Sequence, residues 1–175
     1  IVTNIKKTKN KSQRGLLLVS LKDLQETGRQ FCIRSGLMKK VVTCSQMKLL
    51  DHGTIHNMHV PSLVLMERAA LATAEEIRKY LEKKNGSANL KKERILTVCG
   101  SGNNGGDGIA IARLLHLAGI RSEIYLAGNP DKMTEETRHQ WDIAMSYQVP
   151  VMNNPVWDEY TVIVCLLYTS PSPRD

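Results

Sequence analysis

The sequence predicts an α/β fold of three layers, with helices on both faces of a mainly parallel sheet, and three observations carry that expectation. Arg94-Ile95-Leu96-Thr97-Val98-Cys99 is short, apolar and β-branched, with charge before it and glycine after it, the pattern of a strand buried on both faces. Ile109 to Ala118 has helical propensity and stops at Gly119, a residue suited to the position just past a helix end. Ser122-Glu123-Ile124-Tyr125-Leu126-Ala127 is a second short apolar run. Strand, helix and strand form one βαβ unit whose crossover is expected to be right-handed, and units of this kind build Rossmann-like sheets.

At 175 residues, 42% hydrophobic and 23% charged, the chain has the composition of one globular domain. A net charge of +7 would suggest an acidic partner until the charge is located. Residues 1–37 hold eight Lys or Arg against Asp23 and Glu26, and the remainder is nearly neutral at +1, so there is no electrostatic case for nucleic-acid binding. Residues 1–37 are therefore expected to be a basic extension outside the fold, with Met38-Lys39-Lys40-Val41-Val42-Thr43 as a natural beginning. Leu16-Leu17-Leu18-Val19 is too short for the apolar core of a secretory signal. No apolar run approaches the ~20 residues of a membrane-spanning helix. Cys32, Cys44, Cys99 and Cys165 are scattered, without the C-x-x-C spacing of a metal knuckle or a disulfide framework, which fits a reducing, cytoplasmic setting.

From Met38 onward the elements follow in order. Ser45 is placed to cap a helix through Met47, Leu50 and Ile55, whose polar face carries His52 and His56 at a spacing of four. With no third ligand nearby in sequence, that pair reads as a solvated face rather than a metal site. Pro61-Ser62 opens a second helix, Leu63 to about Lys84, with Ser62 as its N-cap and small residues at Ala69, Ala70, Ala72 and Ala74 for close packing. Within it, Glu67 reads either as a surface acid paired with a neighbour or as a site residue. Lys83 to Asn89 is a polar connection into the first strand of the βαβ unit. After the second strand, Gly128-Asn129-Pro130-Asp131-Lys132 is a loop at the same sheet end as the glycine turn, and Lys132 reads as a solvated lysine able to reach a phosphate. Thr134-Glu135-Glu136 begins a helix with acidic residues in its first turn. Val149 to Met152 is expected to be a short strand, and Thr161 to Cys165 a buried one. Residues 166–175, with Ser-Pro-Ser-Pro, can continue neither strand nor helix and are expected to be an artefactual tail.

The stretch Gly100-Ser101-Gly102-Asn103-Asn104-Gly105-Gly106-Asp107-Gly108 lies between the first strand and the helix, where glycine permits positive φ and close approach, and a helix N-terminus offers bare N–H groups. Gly100, Gly102 and Gly105 match the dinucleotide fingerprint G-x-G-x-x-G. Two features oppose an ordinary NAD-dependent oxidoreductase: no carboxylate stands at the tip of the next strand to hold a ribose, and Asp107 sets a negative charge in the first helical turn. The turn suits a ligand read by Asn and Asp side chains as well as by backbone.

Gly102 to Gly108 after a strand, with Leu65-Met66-Glu67-Arg68-Ala69-Ala70 upstream, resembles the YjeF N-terminal family, the NAD(P)H-hydrate epimerases, over about Met38 to Val164. The resemblance implies interconversion of the R and S forms of hydrated NADH and NADPH, NAD(P)HX. It implies that Asn103, Asn104, Gly105, Gly106 and Asp107 bind the substrate and that Asn104 helps hold a potassium ion. Neutral amide oxygens suit such a cation. It further implies that residues 38–165 are a partial domain, incomplete at the C-terminus, because Cys165 stands where the family has Asp, and that a chain so cut is weakly active or inactive. An ADP-dependent dehydratase domain downstream and a homo-oligomer are compatible with it. The competing reading is a non-catalytic nucleotide-binding or protein-interaction module of the same fold. Inversion of a carbinol carbon beside a ring nitrogen calls for a placed acid or base. Asp107 is the carboxylate available in this turn, but the resemblance implies further site acids that this sequence lacks, and the catalytic residue is unassigned.

Overall fold

The structure, a computed structural model, describes residues 5–7, 17–20 and 44–167. Its elements are β1 (Ile5–Lys7), β2 (Leu17–Ser20), α1 (Cys44–His56), α2 (Ser62–Asn85), β3 (Arg94–Cys99), α3 (Asn103–Leu117), β4 (Arg121–Leu126), α4 (Glu135–Ser146) and β5 (Val162–Leu166). One sheet runs in the order β1-β2-β5-β3-β4. β3 pairs in parallel with β4 on one side and with β5 on the other. β2 adds in parallel to β5, and β1 is antiparallel to β2, so the sheet is mainly parallel, as the α/β, Rossmann-like expectation requires.

The chain leaves β3 for β4 on one side and later returns to lay β5 on the other. The sheet therefore reverses direction at β3, and ligands in open α/β sheets bind at the carboxyl ends of the strands beside such a reversal.

The core explains why these residues form these elements. Along α2, Met66, Ala70, Thr73, Ala74, Ile77 and Leu81 recur at three and four residues and are all buried, a single apolar stripe on a 24-residue helix. Ala70, Ala74, Ile77 and Leu81 pack with Ile95 of β3, Ala110, Ile111 and Leu115 of α3, and Val162, Val164 and Leu166 of β5. Truncating Leu81, which is wholly buried, to alanine would cost about 2–5 kcal/mol. α4 sets Ala144 against Ile109 and Ala112 of α3 and Ile124 of β4, so α2, α3 and α4 cover one sheet face. On the other face, Leu96, Val98 and Ile163 are buried with Tyr160, and Tyr125 and Met152 pack against them. Among the described residues the core helices thus cover one face, and the helical layer expected on this one is not seen.

Several boundaries differ from expectation. α1 begins at Cys44, one residue before the Ser45 expected to cap it. The N-cap of α2 is Pro61 rather than Ser62, because the Ser62 hydroxyl donates instead to Glu136 Oε1 of α4 at 2.9 Å. Val149 to Met152 is reduced to one parallel bridge, Val151 beside Ile124, fastened by Ile124 N–H to Pro150 O at 2.8 Å and Met152 N–H to Ile124 O at 2.7 Å. Leu166, grouped by its sequence with the tail, completes β5 and is buried in the core. Residues 168–175 and Met38 to Thr43 lie outside the described residues.

The basic stretch 1–37, expected outside the fold, contributes β1 and β2 to the sheet. Without β2, β5 would be an edge strand with a row of unpaired N–H and C=O groups, and Leu17-Leu18-Val19 is the most strand-prone run in that stretch.

Candidate functional site

The turn after β3 is built by close contact rather than by left-handed backbone. Gly102 caps α3 in extended conformation (φ −85°, ψ 179°), and the helix begins at Asn103, six residues before the Ile109 expected to lead it. Asn103 to Gly108 are thus the first turns of α3. Among the described glycines positive φ occurs at Gly86 and Gly119, and Gly119 (φ 76°) ends α3 as expected.

What the glycines permit is contact with the chain itself. A Cβ on Gly105 would stand 1.8 Å from Gly100 O, one on Gly106 about 3 Å from Thr137 Oγ1 and Met66, and one on Gly108 2.7 Å from Leu166 and 2.8 Å from Cys99 Sγ. α3 therefore sinks against β3 and β5 at its start, with α2 and α4 closing on Gly106. The N–H groups of Gly105 and Gly106 both turn in to Gly102 O, at 2.7 and 3.3 Å. Of the polar side chains in this turn, Asn103 is exposed, and Asn104 and Asp107 are half-buried.

The β4–α4 connection is pressed onto the same turn. A Cβ on Gly128 would meet Ser101 N at 2.5 Å, Ala127 N–H donates to Cys99 O at 2.9 Å, and Thr134 N–H donates to Ser101 O at 3.0 Å. Thr134 caps α4, its hydroxyl accepting from Thr137 N–H. The same hydroxyl donates to Asn103 Oδ1 at 2.6 Å and lies 2.8 Å from Thr137 Oγ1, while the Thr137 hydroxyl donates to Gly102 O at 3.0 Å. Thr134 and Thr137 are thus joined to the turn, a role that sequence reasoning missed. Lys132 is exposed, in a single 3₁₀ turn from Pro130 to Lys132 beside this connection.

Burial pushes the Asp107 carboxyl up to about 7, and the negative charge of Asp51 on α1 adds to the rise. Asp107 lies in the second turn of α3, past the Asn-Asn-Gly run, so it is not the fixed first-turn anion that the sequence suggested. Near neutral pH it is poised between its two protonation states.

Other singled-out residues lie elsewhere. Glu67 of α2 accepts from Arg113 Nη2 of α3 at 2.5 Å and from Gln140 Nε2 of α4 at 3.4 Å, on the floor of a groove of about 390 Å³ rimmed by Leu63, Val64, Ile143 and Tyr147. It is an inter-helix clamp below the turn rather than a partner of its neighbour Arg68. Glu123, the nearest carboxylate to a ribose-holding position, is committed to Arg94 at 2.9 Å and to the Tyr160 hydroxyl at 2.6 Å, toward the opposite end of the sheet. His52 and His56 face one another with ring centroids 4.1 Å apart. Among the described residues no group of three or more His, Cys, Asp or Glu is arranged to hold a metal ion, so the donors in the turn itself are amide and carbonyl oxygens with the Asp107 carboxyl.

A strand that delivers Gly-Asn-Asn-Gly-Gly-Asp into a helix N-terminus, with α2 closed over it, is a specific arrangement, and comparison with known proteins gives it a family. Residues 62–167 match the model of the family described as YjeF-related protein N-terminus. The chain belongs to this family. Relatives include proteins named NAD(P)H-hydrate epimerase from Limosilactobacillus reuteri, 43% identical over 130 residues, and from Oenococcus oeni, 43% identical over 135 residues. These alignments cover 74% and 77% of this chain, and 58% and 61% of the relatives, so the chain spans about three-fifths of their length. The crystal structure of the yeast protein YNL200c superposes with a TM-score of 0.62 at 24% identity, covering 78% of this chain and 61% of that one, which shows the shared fold.

Proposed function

We propose that the chain is the substrate-binding part of an NAD(P)H-hydrate epimerase, an isomerase that interconverts the R and S forms of hydrated NADH and NADPH in nicotinamide nucleotide repair. The observation that carries this reading is the setting of Asn103, Asn104 and Asp107 on the first two turns of α3, at the carboxyl tip of β3 where the sheet order reverses. The name shared by the relatives from Limosilactobacillus reuteri and Oenococcus oeni supports it.

In this reading Asn103, Asn104, Gly105, Gly106 and Asp107 receive the nucleotide, the glycines by letting α3 sit close to β3 and the three side chains by hydrogen bonding. Asn104 supplies a neutral amide oxygen to a potassium ion, whose role is to fix charge and geometry at the substrate. In this reading, epimerisation at a carbon that bears a hydroxyl beside a ring nitrogen proceeds by C–O cleavage. The hydroxyl leaves as water with a proton from an acid while the ring nitrogen forms an iminium, and water returns to the other face with its proton handed back. A carboxyl poised near 7 holds one at neutral pH, which suits Asp107 to that task. The part that carries the site runs from α2 to β5, residues 62–166. The protein works in the cytoplasm on a small-molecule substrate, with no call on nucleic acid or membrane, and a dehydratase partner domain and self-association fit the same repair role.

Chiral chromatography of R-to-S interconversion tests the proposal, on the chain extended to its relatives' length. The parent enzyme is expected to bring pure R hydrate to the R/S mixture, and Asn104→Ala to slow this about 100-fold, the scale on which a lost polar contact to a reacting group is felt. Equal rates for the two would refute the assignment.

A further inference from the structure

Of the two asparagines of the turn, Asn103 is tied to a second loop. Asn103 Oδ1 is taken by the Thr134 hydroxyl at 2.6 Å, and Thr134 is itself fixed three ways: its N–H on Ser101 O at 3.0 Å, its Oγ as the cap of α4, and its contact with Thr137 Oγ1 at 2.8 Å. A carboxamide whose oxygen is engaged on one side directs its NH₂ group to the other. Asn103 is the first residue of α3 and is exposed, so that NH₂ group is left to meet a ligand seated on the turn.

We propose that Thr134 is a positioning residue for the reading given above: by holding Asn103 Oδ1 it fixes the Asn103 carboxamide as a hydrogen-bond donor to the bound nucleotide. Thr134 lies 31 residues from Asn103 and reaches it because the β4–α4 connection is pressed onto the β3–α3 turn. Thr134 acts through Asn103 and does not touch the reacting atoms.

Three variants of the chain at its relatives' full length separate this role from helix capping. Thr134→Ser keeps both hydroxyl and cap. Thr134→Gly keeps a serviceable cap without a hydroxyl, and Thr134→Val removes both. With hydrated NADH as probe, Gly and Val are both expected to raise KM about tenfold with kcat within about threefold, the scale of one lost hydrogen bond, while Ser stays near the parent. The side-chain amide signals of Asn103 in NMR spectra are expected to shift in Gly and Val and to hold in Ser. A KM that follows the melting temperature, raised in Val but not in Gly, overturns the proposal, as does an Asn103 signal unmoved in both. Asn104→Ala run alongside tells the two readings apart. If it abolishes turnover while Thr134→Gly binds like the parent, the Thr134 role alone falls. If it leaves turnover intact, the site reading and this proposal fall together.

Discussion

The Arg113 guanidinium of α3, almost wholly buried, donates to Glu67 Oε2 of α2 across 2.5 Å, with Gln140 of α4 within 3.4 Å of both. Three helices are tied by one carboxylate. Removing it leaves a buried cation without its counter-charge, which costs about 3–5 kcal/mol for a fully buried pair and less here, because Glu67 is 39% exposed. Glu67→Ala is expected to lower unfolding free energy by about 2 kcal/mol in urea denaturation. Glu67→Ala combined with Arg113→Met is expected to recover part of that loss, because the orphaned charge is gone. A double variant less stable than the sum of the singles would contradict the clamp.

Contact distances order the glycines of α3 by tolerance to alanine. The Gly105 methyl would fall on backbone, 1.8 Å from Gly100 O, and nothing there can yield. That of Gly108 would meet the ends of Leu166 and Cys99, which can shift at a cost of about 1–3 kcal/mol. At Gly119 there is open space, and only the positive φ of 76° is penalised, by about 1–2 kcal/mol. Chemical denaturation is expected to find Gly119→Ala and Gly108→Ala folded and weakened, and Gly105→Ala unfolded or lowered by more than about 4 kcal/mol. A stable Gly105→Ala would mean that α3 does not start where the structure has it.

Much of this was legible in the sequence. The β-branched run between charge and glycine located β3 at Arg94–Cys99, Gly119 closed α3 with the expected left-handed conformation, and Thr134 with two acidic followers marked the start of α4. The start of α3 was not legible, because Asn-Asn-Gly-Gly has the local chemistry of a turn and only tertiary packing, Gly105 on Gly100 and Gly106 between Met66 and Thr137, turns it into helix. Ser62 likewise has the chemistry of a cap, but its hydroxyl donates to a carboxylate from α4, 74 residues on. Thr134 carried no signal of its link to Asn103. The one trace was the pair of loops assigned to the same end of the sheet.

The raised carboxyl of Asp107 gives the fold a pH dependence of unusual sign for an aspartate. Its folded value is about 7 and its ordinary value 3.8, so between these the folded chain binds more protons than the unfolded one. Stability therefore falls as pH rises through that window and is lowest above 7. Melting temperatures are expected to drop between pH 5.5 and pH 8 in the parent and to lose this component in Asp107→Asn. Parallel profiles for the two proteins would show that Asp107 is not the group responsible.

The central claim is that the nucleotide seats on the first two turns of α3 at the strand tips. Titration of the isotope-labelled protein with hydrated NADH, followed by NMR, tests it most directly. The account predicts that the largest shifts fall on Asn103, Asn104, Asp107 and the facing residues Gly128 to Thr134, with the groove at Arg113 and the Arg94–Glu123 end of the sheet unmoved. Shifts centred on either of those two places, with the turn silent, would contradict it.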